Sequence, residues 1–266
     1  QVRPDQGYSR KIRAPDGRLL GEVGDGNRKD VRDAVEAAHA AAGWGRGAGH
    51  MRAQILYYIA ENLSTRATEF ASRIAAMTGV APEAGRQEVE ATIMRLFAYA
   101  AWADKYDGAV HHVPIRGVTL AMNEPIGVIG LAAPDSNPLL AFVSLVAPAI
   151  AVGNTVVAVP STTHPLAATD FYGVLETSDL PGGVVNIVTG DADALAKVLA
   201  EHLDVDAVWF CGSAGAGKAV EEASAGNMKR TWLPGTREWR DARQSEGREF
   251  LRHATQVKNI WIPYGE

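Results

Sequence analysis

From Ile126 to Ala223 the sequence repeats one grammar four times: a short run without a charged residue, then a stretch with helical spacing. The runs are Ile126–Ala132, Thr155–Val159, Val184–Val188 and Ala207–Phe210; the helical stretches lie near Leu139–Ala151, Pro165–Thr177, Ala192–His202 and Gly215–Ala223. A strand that is apolar throughout, rather than at alternate positions, is buried on both faces. Helices between such strands supply the crossovers that parallel pairing requires. The pattern predicts an α/β fold built on a doubly wound, parallel, Rossmann-like sheet.

The chain before this sheet reads differently. "RKIRAP" and "RLLGEV" flank Asp16-Gly17, a hairpin signal. Asn27 is a helix cap, followed by the apolar stripe Val31, Ala34, Val35, Ala38 and Ala42. Gly43-Trp44-Gly45 ends that helix, a second starts near Met51, Thr65 caps a third that stops at Gly79, and Pro82 opens a long fourth reaching about Tyr106. Residues 27–107 thus form a helical layer and 124–235 the sheet core, within one domain of residues 1–254. Two strand-like segments, 109–123 and 255–266, are expected to pair as a protruding two-stranded β-flap. The charged stretch "REWRDARQSEGREFLRHA" reads as a surface helix.

Composition narrows the function classes. A net charge of −5 gives no electrostatic reason to expect nucleic acid or an anionic membrane as partner. The one cysteine excludes an internal disulfide and a cysteine-based zinc site, and points to a reducing, cytoplasmic setting. His111 and His112 are neighbours and so point to opposite sides of a strand. The apolar run Pro138–Gly153 is too short to span a membrane and contains Pro148, which makes it a core helix. The chain begins with Gln1, which suggests processing or a piece of a longer polypeptide.

"CGSAGAGKA", Cys211 to Ala219, raises three possibilities. It is a near phosphate loop, but Ala219 stands where a Ser or Thr hydroxyl would hold Mg²⁺. Cys211 is a nucleophile only if a base or a helix end lowers its pKa, and the sequence places no base beside it. A buried structural cysteine in a tight dinucleotide-type turn is the expectation. Gly182-Gly183, Lys218, Glu221-Glu222 and Asp204/Asp206 are read as turn or solvated surface residues.

"EPIGVIGLAAPDSNPLL", "AVGNTVVAVPSTTHP", "LPGGVVNIVTG" and "DVDAVWFCGSAGAGK" occur in that order. Together with the front helices and the "VKNIWIP" tail, they resemble the NAD-dependent aldehyde dehydrogenase superfamily. "APDGRLLGEV", "RKDVRDAVEAA" and "RAQILYYIAENLS" are similar to the shortened C-terminal pseudo-domain of the aldehyde dehydrogenase 16 family.

The departures from the family pattern carry as much information. Ser136 replaces the asparagine that helps hold the oxyanion, Val159 the lysine and Thr162 the glutamate that contact the cofactor ribose. Cys211 takes a threonine position, and Pro234-Gly235 stands where E-L-G-G would supply the general base. No segment corresponds to the one that carries the family's nucleophile. The resemblance therefore implies a non-catalytic domain serving structure and assembly of an NAD-dependent aldehyde dehydrogenase. Its partners would be the catalytic unit of the same polypeptide and a second copy in a homodimer. No catalytic residue, metal or cofactor is assigned to this chain, NAD belonging to the parent enzyme; Ser136, Gly212 and Ser213 are vestigial cofactor-site candidates. A regulatory dinucleotide-binding module, or an active dehydrogenase or esterase using Cys211, remain the alternatives.

Overall fold

The computed structural model describes residues 4–114 and 116–264. The hairpin β1 (Ser9–Arg13) and β2 (Leu19–Gly24) turns at Asp16-Gly17 as expected. Helix α1 (Arg28–Ala40) starts in a capping box: the Asn27 side chain accepts from the helix and the Asp30 carboxylate accepts from the Asn27 N–H. Gly43–Arg46 does more than end α1, since it forms a short α2. The buried Trp44 indole N–H donates to the Ile150 carbonyl at 2.8 Å, fastening this corner to the core.

Helices α3 (Gly49–Thr65), α4 (Ala67–Thr78) and α5 (Pro82–Trp102) complete the layer. Thr65 does not cap α4: it is the last residue of α3, its hydroxyl bonds back to the Asn62 carbonyl, and Arg66 joins the two helices. Gly79 does end α4, in the left-handed conformation (φ 76°) that glycine adopts without strain.

Strands β3 (Gly108–His111) and β4 (Gly117–Pro125) precede the sheet proper. The alternating units then follow in chain order: β5 (Val128–Ala132), α6 (Pro138–Ala151), β6 (Thr155–Val159), α7 (Leu166–Glu176), β7 (Val185–Ile187), α8 (Ala192–Glu201), β8 (Ala207–Phe210), α9 (Ala214–Ala225) and β9 (Arg230–Trp232). The sheet is parallel with order β7-β6-β5-β8-β9. Side chains alternate between its faces. Ile129, Leu131, Val156, Ala158 and Trp209 join the core under α3 to α7, whereas Val128, Ala132, Val157, Val159 and Phe210 face α1 and α8. Every residue of α6 is buried, Pro148 included.

Glu88 of α5 is buried and accepts from the N–H groups of Leu139 and Leu140, at 3.0 and 3.3 Å, at the start of α6. Burial pushes its carboxyl up, against the opposing pull of those N–H groups and of Arg240. The folded chain therefore keeps this proton at pH values where the unfolded chain, titrating near 4.5, has released it. Stability from this group falls as pH rises through 4.5 towards the raised folded value. Glu88→Gln retains an acceptor oxygen but does not titrate. Denaturation across acidic pH should show the native chain losing stability relative to Glu88→Gln as pH rises; a constant difference would refute the assignment.

The segment after β9 is not a surface helix. It forms α10 (Ala242–Ser245) and α11 (Arg248–His253), with Trp239, Ser245, Phe250 and Leu251 buried. Its anchor is Arg95, 2% exposed. The guanidinium donates to Ser144, to the carbonyls of Ser245 and Trp239 and to the Ser245 hydroxyl, and pairs with Glu246 at 3.0 Å. Charged patterning predicts solvent exposure unless a buried donor array elsewhere claims the backbone.

The final strand, β10 (Thr255–Pro263), pairs with β4 over its whole length, and β4 pairs on its other side with β3. The flap thus has three strands among the described residues where two were expected: the first segment divides into β3, ending at His111, and β4, beginning at Gly117. Asn154 roots the flap in the core. Its amide accepts from the Ile126 and Gly127 N–H groups and donates to the Ala149 and Ala254 carbonyls, all within 3.0 Å.

Candidate functional site

In an open parallel sheet, ligands bind outside the carboxyl ends of the strands where the strand order reverses. Here that point lies between β5, which continues to β6 on one side, and β8 on the other. Its walls are the β5–α6 loop with Pro134 to Asn137, the β6–α7 loop with Pro160 to His164, and the β8–α9 turn with Cys211 to Ser213.

Ser136 is exposed on the first loop. Gly212 and Ser213 form the turn into α9, where the Ser213 hydroxyl accepts from the Ala216 N–H at 3.3 Å. A Cβ built on Gly212 would come within 2.2 Å of the Phe210 ring, and one on Gly217 within 2.6 Å of Leu233. A side chain at either position would displace the Phe210 ring or the Leu233 side chain, so packing within the chain already favours glycine there. Lys218 is exposed, 3.8 Å from Glu222 one turn on.

Asp135, unnoticed as a site residue in the sequence, organises the mouth. Its carboxylate accepts from the Ser161 hydroxyl at 2.5 Å and the Thr163 N–H at 3.2 Å, strapping the β5–α6 loop to the β6–α7 loop. The Ser161 oxygen in turn accepts from the His164 N–H at 2.8 Å. Burial pushes the Asp135 carboxyl up, but the bonds from Ser161 and Thr163, with His164 nearby, outweigh it and hold the group below its usual range. Thr162 is committed too: its hydroxyl accepts from the Ala192 N–H at 2.9 Å, at the start of α8. Val159 is fully buried.

These residues do not fit a dinucleotide well. Val159 offers no donor, the Thr162 oxygen is engaged by the fold, and a carboxylate stands in the mouth. Cys211 is not an activated thiol either. It packs on the main core, and burial pushes it up to about 12 against a smaller opposing effect of Arg237. The protonated thiol is therefore the favoured form at neutral pH.

Two clefts lie elsewhere. One of about 320 Å³ lies at the amino ends of β5 and β6, lined by His39, Arg46, Glu124, Gly127, Gly153 and Thr155 among others. Another, of about 550 Å³, lies beside the start of α1 near Arg28, Lys29, Arg32 and His202. Among the described residues no three His, Cys, Asp or Glu side chains converge as a metal site. Among the same residues no helix is long and apolar enough to cross a membrane.

Known proteins resemble this chain in sequence and in architecture. The chain is 32% identical over 227 residues to an aldehyde dehydrogenase of Agaricus bisporus, covering 84% of this chain and 45% of that protein. It is 34% identical over 223 residues to aldehyde dehydrogenase 1A1 of Equus caballus, covering 80% of this chain and 44% of that one. Among solved structures, PnpE from Pseudomonas sp. WBC-3 superposes with a TM-score of 0.85 at 30% identity, over 88% of this chain and 48% of PnpE. Betaine aldehyde dehydrogenase from Staphylococcus aureus, solved in complex with NAD⁺, gives 0.83 at 26% identity, over 86% of this chain and 47% of that one. The chain spans about half the length of the curated relatives it matches. The sequence profile described as Aldehyde dehydrogenase family matches residues 2–235, and the chain belongs to that family.

Proposed function

We propose that the chain is a non-catalytic aldehyde-dehydrogenase-like domain that serves the structure and assembly of an NAD-dependent aldehyde dehydrogenase. The parent enzyme would oxidise aldehydes to carboxylic acids on a separate catalytic unit of the same polypeptide, with NAD bound there. A shortened pseudo-domain of the kind found in the aldehyde dehydrogenase 16 family, working in a cytoplasmic homodimer, is the form this takes.

One observation carries the reading. The register places Ile260 opposite Leu120, Ile262 opposite Val118 and Lys258 opposite Met122, with Val110 opposite Leu120 on the far strand. Directly opposed residues share a face, so Val110, Val118, Leu120, Met122, Ile260 and Ile262 make an apolar patch, bordered on the same face by the Lys258–Glu124 ion pair. Val110 is 73% and Ile262 50% exposed. Apolar surface of this kind, on a sheet whose outer strand is unpaired, suits a protein partner. Among the described residues no segment covers it.

The isolated chain should oxidise no aldehyde. Burial holds the Cys211 thiol well above its ordinary value, which disfavours the thiolate that would start a covalent thiohemiacetal. The check is NADH formation with several aldehydes, using Cys211→Ala as the control; turnover above that control would refute the non-catalytic reading.

A further inference from the structure

We infer that the switch-point crevice excludes dinucleotides by charge, and not only through the contacts that Val159 and Thr162 fail to make. This rests on the non-catalytic reading above and deepens it. Three carboxylates stand on the rim. Asp135 is on the β5–α6 loop; Asp191 and Asp193 open α8, beyond β7. Asp193 responds to both of the others: burial first, then Asp191 and Asp135, push its carboxyl up.

The amino end of a helix ordinarily attracts a phosphate. That of α8 is already matched, because Asp191 accepts from the Ala194 N–H at 2.9 Å and Asp193 lies in the first turn. The amino end of α9 still favours an anion, and Ser213 leads into it. Yet in the sheet β5 lies between β6 and β8. A ligand reaching from the end of β6 to the start of α9 must therefore pass the β5–α6 loop. Asp135 stands there, ionised and fixed by Ser161 and Thr163. Beside Asp135, the His164 Nδ1 lies 3.3 Å from the Asp135 carbonyl and 3.3 Å from the Thr163 hydroxyl. The guanidinium groups near the rim are engaged by the fold, Arg240 donating to the Asn137 side-chain oxygen and the Ala84 carbonyl, and Arg10 to the Gly190 carbonyl. A pyrophosphate carries two negative charges past this rim; an uncharged nucleoside carries none.

Calorimetric titration of the whole chain with ADP-ribose and with adenosine separates the two causes. Asp135→Asn/Asp193→Asn should bind ADP-ribose about tenfold or more tightly than the native chain, with the gain shrinking as salt is added. Adenosine should bind both chains equally. Equal ADP-ribose affinities, a gain shared by adenosine, or no binding by either chain would overturn the inference. Asp135 straps two loops, so its replacement carries a risk of misfolding. If the double variant fails to fold, Asp193→Asn and a salt series on the native chain decide: affinity for ADP-ribose rising with salt supports exclusion, and flat or falling affinity overturns it. Low-micromolar NAD binding by the native chain would instead refute the non-catalytic reading itself.

Discussion

Arg95→Ala should destabilise the chain by about 3–5 kcal/mol and release the segment from Arg237 to His253. The guanidinium is buried and its planar fork serves two carbonyls, two hydroxyls and Glu246 together. Truncation to alanine leaves the Ser245 and Trp239 carbonyls without this donor in a site closed to water, and adds a cavity beneath α6. Trp239, Phe250 and Leu251 of the same segment are buried, and losing the anchor should expose them. Urea unfolding should show the loss of stability, and limited proteolysis should cut first between Arg237 and His253. Lysine brings three donors and a point charge without the fork, so Arg95→Lys should recover only part of the stability. A variant with unchanged stability and unchanged cleavage would show that the segment is held by its apolar side chains alone.

The effect should propagate. Ala254 directly precedes β10, and its carbonyl accepts from the buried Asn154 amide. The Thr255 carbonyl accepts from Arg230 of β9. Loosening α10 and α11 therefore loosens the root of the flap.

What could be read from the sequence follows from which forces are local. The runs Thr155–Val159 and Ala207–Phe210 coincide with β6 and β8, because a doubly covered strand must be apolar at every position. Asn27 and Gly79 were legible because caps act within a few residues. β9 escaped notice: Arg230 and Thr231 face partly outward on an edge strand, so only Trp232 reads as core. The segment carrying Trp239 and Phe250 was misread as a surface helix because its determinant, Arg95, stands 150 positions before Ser245. The candidate site divides in the same way. Gly212 and Ser213 announce a tight turn into a helix. Asp135 gains its meaning only once the parallel register of β5 and β6 brings Ser161 and Thr163 beside it.

The flap shows the same limit. Along β10 alone, Val257, Asn259 and Trp261 alternate with Lys258, Ile260 and Ile262, and neither set is clean. Pairing with β4 sorts them: Val118, Leu120, Ile260 and Ile262 come together on one face, and the Lys258–Glu124 pair lies towards its root. Ile260, 36% exposed at the centre of that face, is the position where a charge would do most harm. A carboxylate there would be desolvated in any interface the face forms, and the one lysine beside it on that face, Lys258, is already paired with Glu124. The cost should weaken association on the order of 100-fold or more. The core should be untouched, since β10 contributes to it only at its first residue, Thr255.

Light scattering coupled to size exclusion, on the native chain and on Ile260→Asp, tests the assembly role most directly. With the face uncovered, the native chain should run as an associated species well above its 28.3 kDa monomer mass, and Ile260→Asp should run at 28.3 kDa with an unchanged melting temperature. A native chain that stays at 28.3 kDa across the accessible concentrations, or an associated state that Ile260→Asp leaves intact, would contradict it.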